Sequence, residues 1–131
     1  MDWEEQMKKD TENAQQTIKD LLPELKKLKV AEVYISYNGS GDEGSYESAI
    51  FSQEATEEDE APTAGIEVLE SLHDKVQGAM ETIVNNTYGG GWWDNDGATG
   101  NVKLKVETGE ILIDHNWYVT NTESDAKTIT L

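Results

Sequence analysis

The chain has 131 residues, enough for one domain with a single core, and its 27 acidic residues against 10 lysines and no arginine give a formal net charge of −17 at pH 7. A surface of this charge repels nucleic acids and anionic membranes, attracts basic protein surfaces and, without arginine, lacks the side chain best suited to binding phosphate. The sequence has no cysteine, no basic and apolar leader and no apolar run of membrane-spanning length, which argues against disulfides, thiolate chemistry and membrane insertion and leads us to expect a cytoplasmic protein.

The first predicted element is a helix over residues 2–29. Asp2 and Glu5 have the spacing of a capping box, and apolar residues recur at steps of three and four, most regularly from Ile18 onwards. Pro23 lies within this pattern, so we expect the helix to kink or to restart upstream of it. A single apolar face of this kind is typical of a helix that packs on a sheet.

A strand, a loop and a second strand are predicted next. The apolar period changes to two in residues 30–37 and again in residues 46–52, and the glycine-rich residues 38–44 between them favour a hairpin with a long tip. Asp42 and Glu43 lie at this tip, where they would repel a phosphate, and the Gly-Lys-Ser/Thr motif of a phosphate-binding loop is missing. The loop is therefore interpreted as a turn.

Residues 53–64 are predicted to form an acidic linker. Its acids are Glu54, Glu57, Glu58, Asp59 and Glu60, and it has no apolar partner with which it could pack. Such a run is usually only a solvated connection between elements. The alternative is a contact surface for lysine and arginine side chains of a partner, and it gains weight because the rest of the chain has the same charge.

A second helix is predicted from about Thr63 to Asn86, because apolar residues again recur at helical spacing. His73 lies beside the apolar face and next to Asp74. No second histidine stands at a helical spacing from which it could share a metal, so His73 is interpreted as a structural or surface residue.

The other elements are expected to pack around residues 88–120, which contain three of the four tryptophans and six of the eleven glycines. Of the adjacent Trp92 and Trp93, we expect one to fill the interface between sheet and helices and the other to stay partly exposed. An exposed tryptophan beside Asp94 and Asp96 is typical of a protein-contact hot spot, although a buried position is the commoner outcome.

Asp94 and Asp96, followed by a glycine, also partly match a calcium-binding loop. Two positions where such a loop needs acidic ligands hold Trp92 and Lys103 instead. The favoured interpretation is a turn in which the aspartates bond to their own backbone. A calcium site completed by the acids at the tip of the first hairpin is the alternative.

A second hairpin is the clearest pattern in the chain. Residues 102–106 and 111–119 alternate between apolar and polar side chains, with a turn at residues 107–110. Asp114 and His115 are consecutive and therefore point to opposite faces of a strand, so they cannot act together as a catalytic pair. No nucleophile motif accompanies them, and no catalytic residue is assigned. Residues 128–131 could add a short last strand.

Four segments resemble those of a family of small bacterial and phage-borne domains of unknown function. They are Gly-Ser-Gly-Asp-Glu-Gly at residues 39–44, Gly-Trp-Trp-Asp-Asn-Asp-Gly-Ala-Thr-Gly at 91–100, Val-Glu-Thr-Gly-Glu-Ile at 106–111 and Asp-His-Asn-Trp-Tyr-Val-Thr at 114–120. The resemblance covers about residues 30–120 and implies the predicted element order and a prokaryotic or mobile-element origin. In its acidity the chain is also similar to phage inhibitors of CRISPR and restriction systems that imitate DNA.

The sequence therefore predicts one α+β domain over residues 1–131, in the order α-β-β-α-β-β, with an antiparallel sheet of four to five strands and two helices on one face. We expect a non-catalytic acidic inhibitor in the bacterial cytoplasm that needs no cofactor, binds neither nucleic acid nor membrane directly, and occupies the basic nucleic-acid-binding surface of a bacterial defence protein. The alternative is a calcium-binding or housekeeping module. The predicted contact residues are Asp42, Glu43, Glu54, Glu57, Glu58, Asp59, Glu60, Trp92, Trp93, Asp94 and Asp96.

Overall fold

The structure is a computed structural model that describes residues 3–40, 43–57, 60–62, 64–88, 98–117 and 123–130. Its helices are α1 (Trp3–Lys27) and α2 (Glu70–Tyr88). Its strands are β1 (Glu32–Ser40), β2 (Glu43–Tyr46), β3 (Ile50–Ser52), β4 (Ala98–Lys105), β5 (Glu110–Trp117) and β6 (Glu123–Thr130). All described strand pairs are antiparallel, in the order β2-β1-β4-β5-β6, and β3 pairs with β1 beside β2.

The predicted α+β class and antiparallel sheet are confirmed, but the strand count and the element order are not. The described residues form six strands in the order α-β-β-β-α-β-β-β. One difference is that the single strand expected over residues 46–52 is divided. Tyr46 pairs with Tyr37 and Ile50 with Tyr34, so this edge advances four residues while β1 advances three. The extra residue is a β-bulge, which separates β2 from β3.

The last strand is also longer than predicted. β6 pairs with the whole of β5, from Glu110 opposite Thr130 to Trp117 opposite Glu123, whereas the sequence pattern indicated only residues 128–131. Ile129 is the one hydrophobic residue of β6 that packs against the core, so backbone pairing rather than apolar alternation defines this strand. A polar edge strand of this kind resists pairing with other chains.

Both helices differ from the prediction at one end. α1 continues through Pro23 to Lys27, and Lys29 follows it in the left-handed region with a φ of 60°. α2 begins at Glu70 rather than near Thr63, because the amide of Ile66 donates to the carbonyl of Phe51 and holds this segment against the sheet. The start of the predicted helix is therefore occupied by sheet pairing.

A single core lies between the helices and one face of the sheet. Ile18 and Leu25 of α1, Met80 of α2, and Ile35 and Leu104 of the sheet are all fully buried in it. Because side chains alternate along a strand, the neighbours of these strand residues lie on the opposite face, which we call the outer face. The outer face carries the site described next.

Candidate functional site

The centre of the candidate site is a lysine on the outer face of β4. Lys103 is 1% exposed and its ammonium nitrogen lies 3.2 Å from Oε2 of Glu32, which is itself 2% exposed in its side chain. The ammonium donates to the hydroxyl of Thr56 at 2.6 Å and to the carbonyls of Glu57 at 2.6 Å and Glu60 at 2.8 Å. An ammonium group has three hydrogens to donate, so these three acceptors and the ion pair satisfy it fully.

Glu32, the acidic partner of the ion pair, also binds the acidic linker. Its carboxylate accepts hydrogen bonds from the backbone amide of Thr56 and, at 3.1 Å, from the Thr56 hydroxyl. The amide of Glu60 donates to the carbonyl of Glu57 at 3.0 Å and closes a turn, and Pro62 is buried just beyond it. The described part of the acidic linker is therefore fastened across the outer face by one buried lysine and one buried glutamate.

This attachment corrects the expectation that the linker has nothing to pack against. The sequence shows no apolar partner, but its partner is a pair of charges on two central strands, and those charges come from positions that alternate with core residues. Each charge is buried because the linker covers it, and the linker backbone is held because the charges are buried. Nothing in the local sequence of residues 53–64 indicates this, since Lys103 lies 43 to 47 residues away from the linker residues that it contacts.

The acidic side chains of the linker stay in solvent while its backbone is held. Glu54, Glu57 and Glu60 are all exposed. Two of them, Glu57 and Glu60, supply to Lys103 their backbone carbonyls and not their carboxylates. The arrangement therefore presents negative charges on a fixed backbone, which lowers the entropy that would be lost on binding a partner.

Of the other predicted contact residues, the structure describes only Glu43. Glu43 is the first residue of β2 and pairs with Ser40 in register. The remaining ones lie outside the described residues: Asp42, Glu58, Asp59, Trp92, Trp93, Asp94 and Asp96. Asp94 and Asp96, on which the calcium alternative depends, are among these residues. Within the described ranges, no group of three or more histidine, aspartate or glutamate residues could hold a metal ion.

Beyond the linker, Tyr34 and Asp114 lie on the outer face of the sheet. Tyr34 is half-buried, and this burial raises the pKa of its phenol above the ordinary value, with a smaller contribution from the negative charge of Asp114. Asp114 is exposed and its neighbour His115 is buried, so the two point to opposite faces as the alternation predicts.

His115 belongs to a buried polar pair at one end of the core. Its Nδ1 lies 2.7 Å from the hydroxyl of Tyr37, although the two residues are on strands that flank β4 rather than on neighbours. Gly100 lies between them in register. A Cβ atom at Gly100 would lie 2.6 Å from the Tyr37 hydroxyl, so only glycine allows the two side chains to meet. The sequence signal that could have indicated this pair is a glycine within a strand.

A second histidine forms a chain of hydrogen bonds on the surface. Nε2 of His73 lies 3.0 Å from the hydroxyl of Ser48, and Nδ1 lies 3.1 Å from the carboxylate of Asp74. The order of the groups is that of a Ser-His-Asp triad, which sequence reasoning missed because Ser48 lies in the bulge. However, the amide of Ala49, the group that would stabilise an oxyanion, donates instead to the side chain of Gln77 at 3.0 Å. These bonds tie the bulge to α2.

A scan against protein-family models matches residues 13–129 to one model, which is described as a family of unknown function (DUF6878). The chain belongs to this family. The matched range begins within α1 and includes the acidic linker, Lys103 and all six described strands except Thr130, the last residue of β6, so the buried ion pair and the segment it holds are part of the family's domain. The family has no assigned activity, and no residue role is carried over from it.

Two further comparisons add no relative to this family match. A search of curated proteins and a search of solved structures each found no significant match. A separate inspection of the helices shows that, within the residues that the structure describes, neither is both long and apolar enough to cross a membrane.

Proposed function

We propose that this protein is a non-catalytic acidic inhibitor that binds the basic, nucleic-acid-binding surface of another protein in place of nucleic acid. The observation that carries the proposal is the acidic linker: its backbone is fixed by Lys103 and Glu32 while Glu54, Glu57 and Glu60 remain in solvent. A flexible acidic run would lose entropy when a partner ordered it, and a fixed run avoids much of that loss.

The net negative charge of the chain also supports the proposed inhibitor function, because it acts on a partner before the two proteins are in contact. Residues 30–131 carry 20 acids and four lysines, and one of those lysines is the buried Lys103, whose charge is compensated by Glu32. The field that a partner meets is therefore strongly negative on the part of the chain that includes the linker. Such a field accelerates encounter with a basic surface and repels nucleic acid.

The partner class that fits this chemistry is a protein whose own ligand is a polyanion. Lysine and arginine side chains that normally contact phosphates would contact the carboxylates of the linker. A bacterial defence protein that binds DNA or RNA is the partner expected from the sequence. Trp92 or Trp93 would add an apolar contact near the centre of the interface and slow dissociation.

A capture experiment tests the proposal. The tagged protein is used to retain partners from a bacterial lysate that contains CRISPR and restriction complexes, at low and moderate salt, and duplex DNA is then added to elute them. The variant Glu54→Gln/Glu57→Gln/Glu60→Gln removes three exposed charges from the linker. The matched control, Glu12→Gln/Asp20→Asn/Glu24→Gln, removes three exposed charges from α1, which packs on the opposite side of the sheet.

We expect a nucleic-acid-binding protein to be retained by the wild type and by the α1 control, to be eluted by DNA, and to be retained poorly by the linker variant. Equal loss in both variants would mean that net charge alone causes retention. If no basic protein is retained at either salt concentration, the inhibitor function is wrong and the acids serve solubility.

A further inference from the structure

A cavity of about 450 Å³ lies at the C-terminal end of α1. Its walls come from the last turn of α1, the start of β1, the first residues of the acidic linker and the turn between β4 and β5. The side-chain amide of Gln53 donates to the carbonyl of Leu28 at 3.1 Å and ties the start of the linker to the end of α1. This volume lies within the range of small-molecule binding sites in proteins.

The charge of this cavity is opposite to that of the chain. Three of the ten lysines line it, Lys26, Lys29 and Lys105, in a protein with a net charge of −17. Two glutamates also line it, but Glu32 already forms the buried ion pair with Lys103. Glu107 is the other acid, and it is exposed, as Lys26 and Lys29 are. Lysines therefore outnumber carboxylates in the lining.

Helix geometry accounts for only part of this charge. Lys26 lies in the last turn of α1, where a cation interacts favourably with the helix dipole. Lys105, however, comes from β4, which has no such dipole. Lys29 has a φ of 60°, a left-handed conformation that usually belongs to glycine at this position after a helix. The amide of Val30 donates to the carbonyl of Leu25 at 3.0 Å, so this conformation ends the helix, and the Lys29 side chain contributes to the lining of the cavity.

The uncharged part of the lining is apolar. Val30 and Val106 are buried, and Ala31 and Ala55 complete the apolar surface beneath the lysines. A ligand that matched both parts would place an anionic group among the ammonium groups and an apolar body against these side chains. The strong negative field of the whole protein disfavours ligands of high negative charge, and the lysines give no bidentate contact of the kind that selects phosphate.

We propose that this cavity binds a small organic carboxylate of single negative charge with an aromatic or aliphatic body. The carboxylate contacts Lys26, Lys29 and Lys105, and the body packs on Val30 and Val106. The cavity shares Glu32 and Thr56 with the attachment of the acidic linker, but ligand binding there involves none of the exposed linker carboxylates and does not depend on the inhibitor function.

The test is an NMR titration of the full-length protein with naphthalene-1-acetate, followed through backbone amide shifts. The matched probe is naphthalene-1-acetamide, which has the same shape without the charge. We expect shifts confined to the residues that line the cavity, and an affinity for the amide at least threefold weaker. Added salt should weaken binding of the carboxylate alone.

Three variants locate the charge. Lys29→Gly removes the ammonium and suits the left-handed backbone, so it keeps the fold, and Lys26→Gln/Lys29→Gln removes two charges. We expect each lost lysine to weaken carboxylate binding by about two- to fivefold. The control Lys8→Gln/Lys9→Gln removes the same number of charges as Lys26→Gln/Lys29→Gln, at exposed positions in the first half of α1, and should leave binding unchanged.

Three outcomes would overturn the proposal. One is the absence of localised shifts at probe concentrations up to about 10 mM, which corresponds to no useful affinity. Another is equal binding of acid and amide, which would mean an apolar cavity without anion selectivity. The third is equal weakening by the cavity variants and by the control, which would mean nonspecific attraction.

Discussion

The buried ion pair on the outer face gives the sharpest prediction about stability. Replacing Lys103 with methionine keeps an unbranched side chain up to the Cε position but removes the ammonium that Glu32 and the linker share. The carboxylate of Glu32 would then be buried without a counterion, and the backbone carbonyls of Glu57 and Glu60 would each lose one of their two donors. Removing one partner of a buried ion pair typically costs about 3–5 kcal/mol.

The free energy with which the linker binds the sheet sets an upper limit on the stability that Lys103→Met can lose. If the linker separates from the sheet, water reaches Glu32, and the remaining cost is the free energy with which the linker was bound. We therefore expect Lys103→Met to lower the free energy of unfolding by about 3 kcal/mol, the lower end of the range for buried pairs. Urea denaturation followed by tryptophan fluorescence measures this value.

Two comparisons make the result specific. Lys75→Met removes an exposed lysine from α2 and should change stability by less than about 0.5 kcal/mol. Hydrogen exchange of the Thr56 amide, which donates to Glu32, should be protected in the wild type and fast in Lys103→Met. A loss below about 1 kcal/mol, or an unchanged exchange rate at Thr56, would show that Lys103 does not hold the linker.

Three other changes have expected outcomes. Gly100→Ala should destabilise the protein by about 3 kcal/mol in thermal unfolding, because the added Cβ collides with the Tyr37 hydroxyl and the carbonyl of Asp114; a loss under about 1 kcal/mol would contradict the packing. The raised pKa of Tyr34 stabilises the folded state below the ordinary tyrosine pKa of about 10, and this stabilisation is lost as the pH rises through the raised value. The variant Tyr34→Phe should therefore show a smaller fall in the free energy of unfolding at alkaline pH. An unchanged fall would show that Tyr34 does not contribute to it. Ser48→Ala should cost about 1 kcal/mol or less and leave reaction with a fluorophosphonate probe unchanged, whereas labelling that disappears in this variant would reveal a nucleophile.

Sequence periodicity predicts the parts of this fold in which one face of an element is buried. The alternation through Val102 and Leu104 and through Ile111 and Ile113 predicts the second half of β4 and most of β5, and all four side chains are buried, but it misses the first four residues of β4, 98–101. The same reasoning misses β6, which has one apolar residue in contact with the core. It also extends α2 backwards to Thr63, because it cannot foresee that Ile66 pairs with β3.

The candidate site is harder to predict because its parts are far apart in sequence. Glu32 and Lys103 look like ordinary solvent-facing positions of amphipathic strands, and each is buried only through the segment that crosses them. The acidity of the linker is evident from the sequence, but the attachment of its backbone is not. Likewise, the lysine-lined cavity joins the end of α1 to β4, and no local pattern links those two elements.

Fixed carboxylates of the acidic linker are proposed to displace nucleic acid from a basic protein, and a competition assay measures this displacement. Labelled duplex DNA is bound to the purified captured partner, and fluorescence anisotropy follows its release as this protein is added. The linker variant Glu54→Gln/Glu57→Gln/Glu60→Gln is compared with the α1 control that carries the same net charge.

We predict full release of DNA by the wild type and the control, and an inhibition constant at least about tenfold higher for the linker variant, since each exposed ion pair contributes up to about 1 kcal/mol. DNA that stays bound while this protein also binds, or linker and control variants that inhibit equally, would mean that the linker carboxylates are not what displaces the nucleic acid.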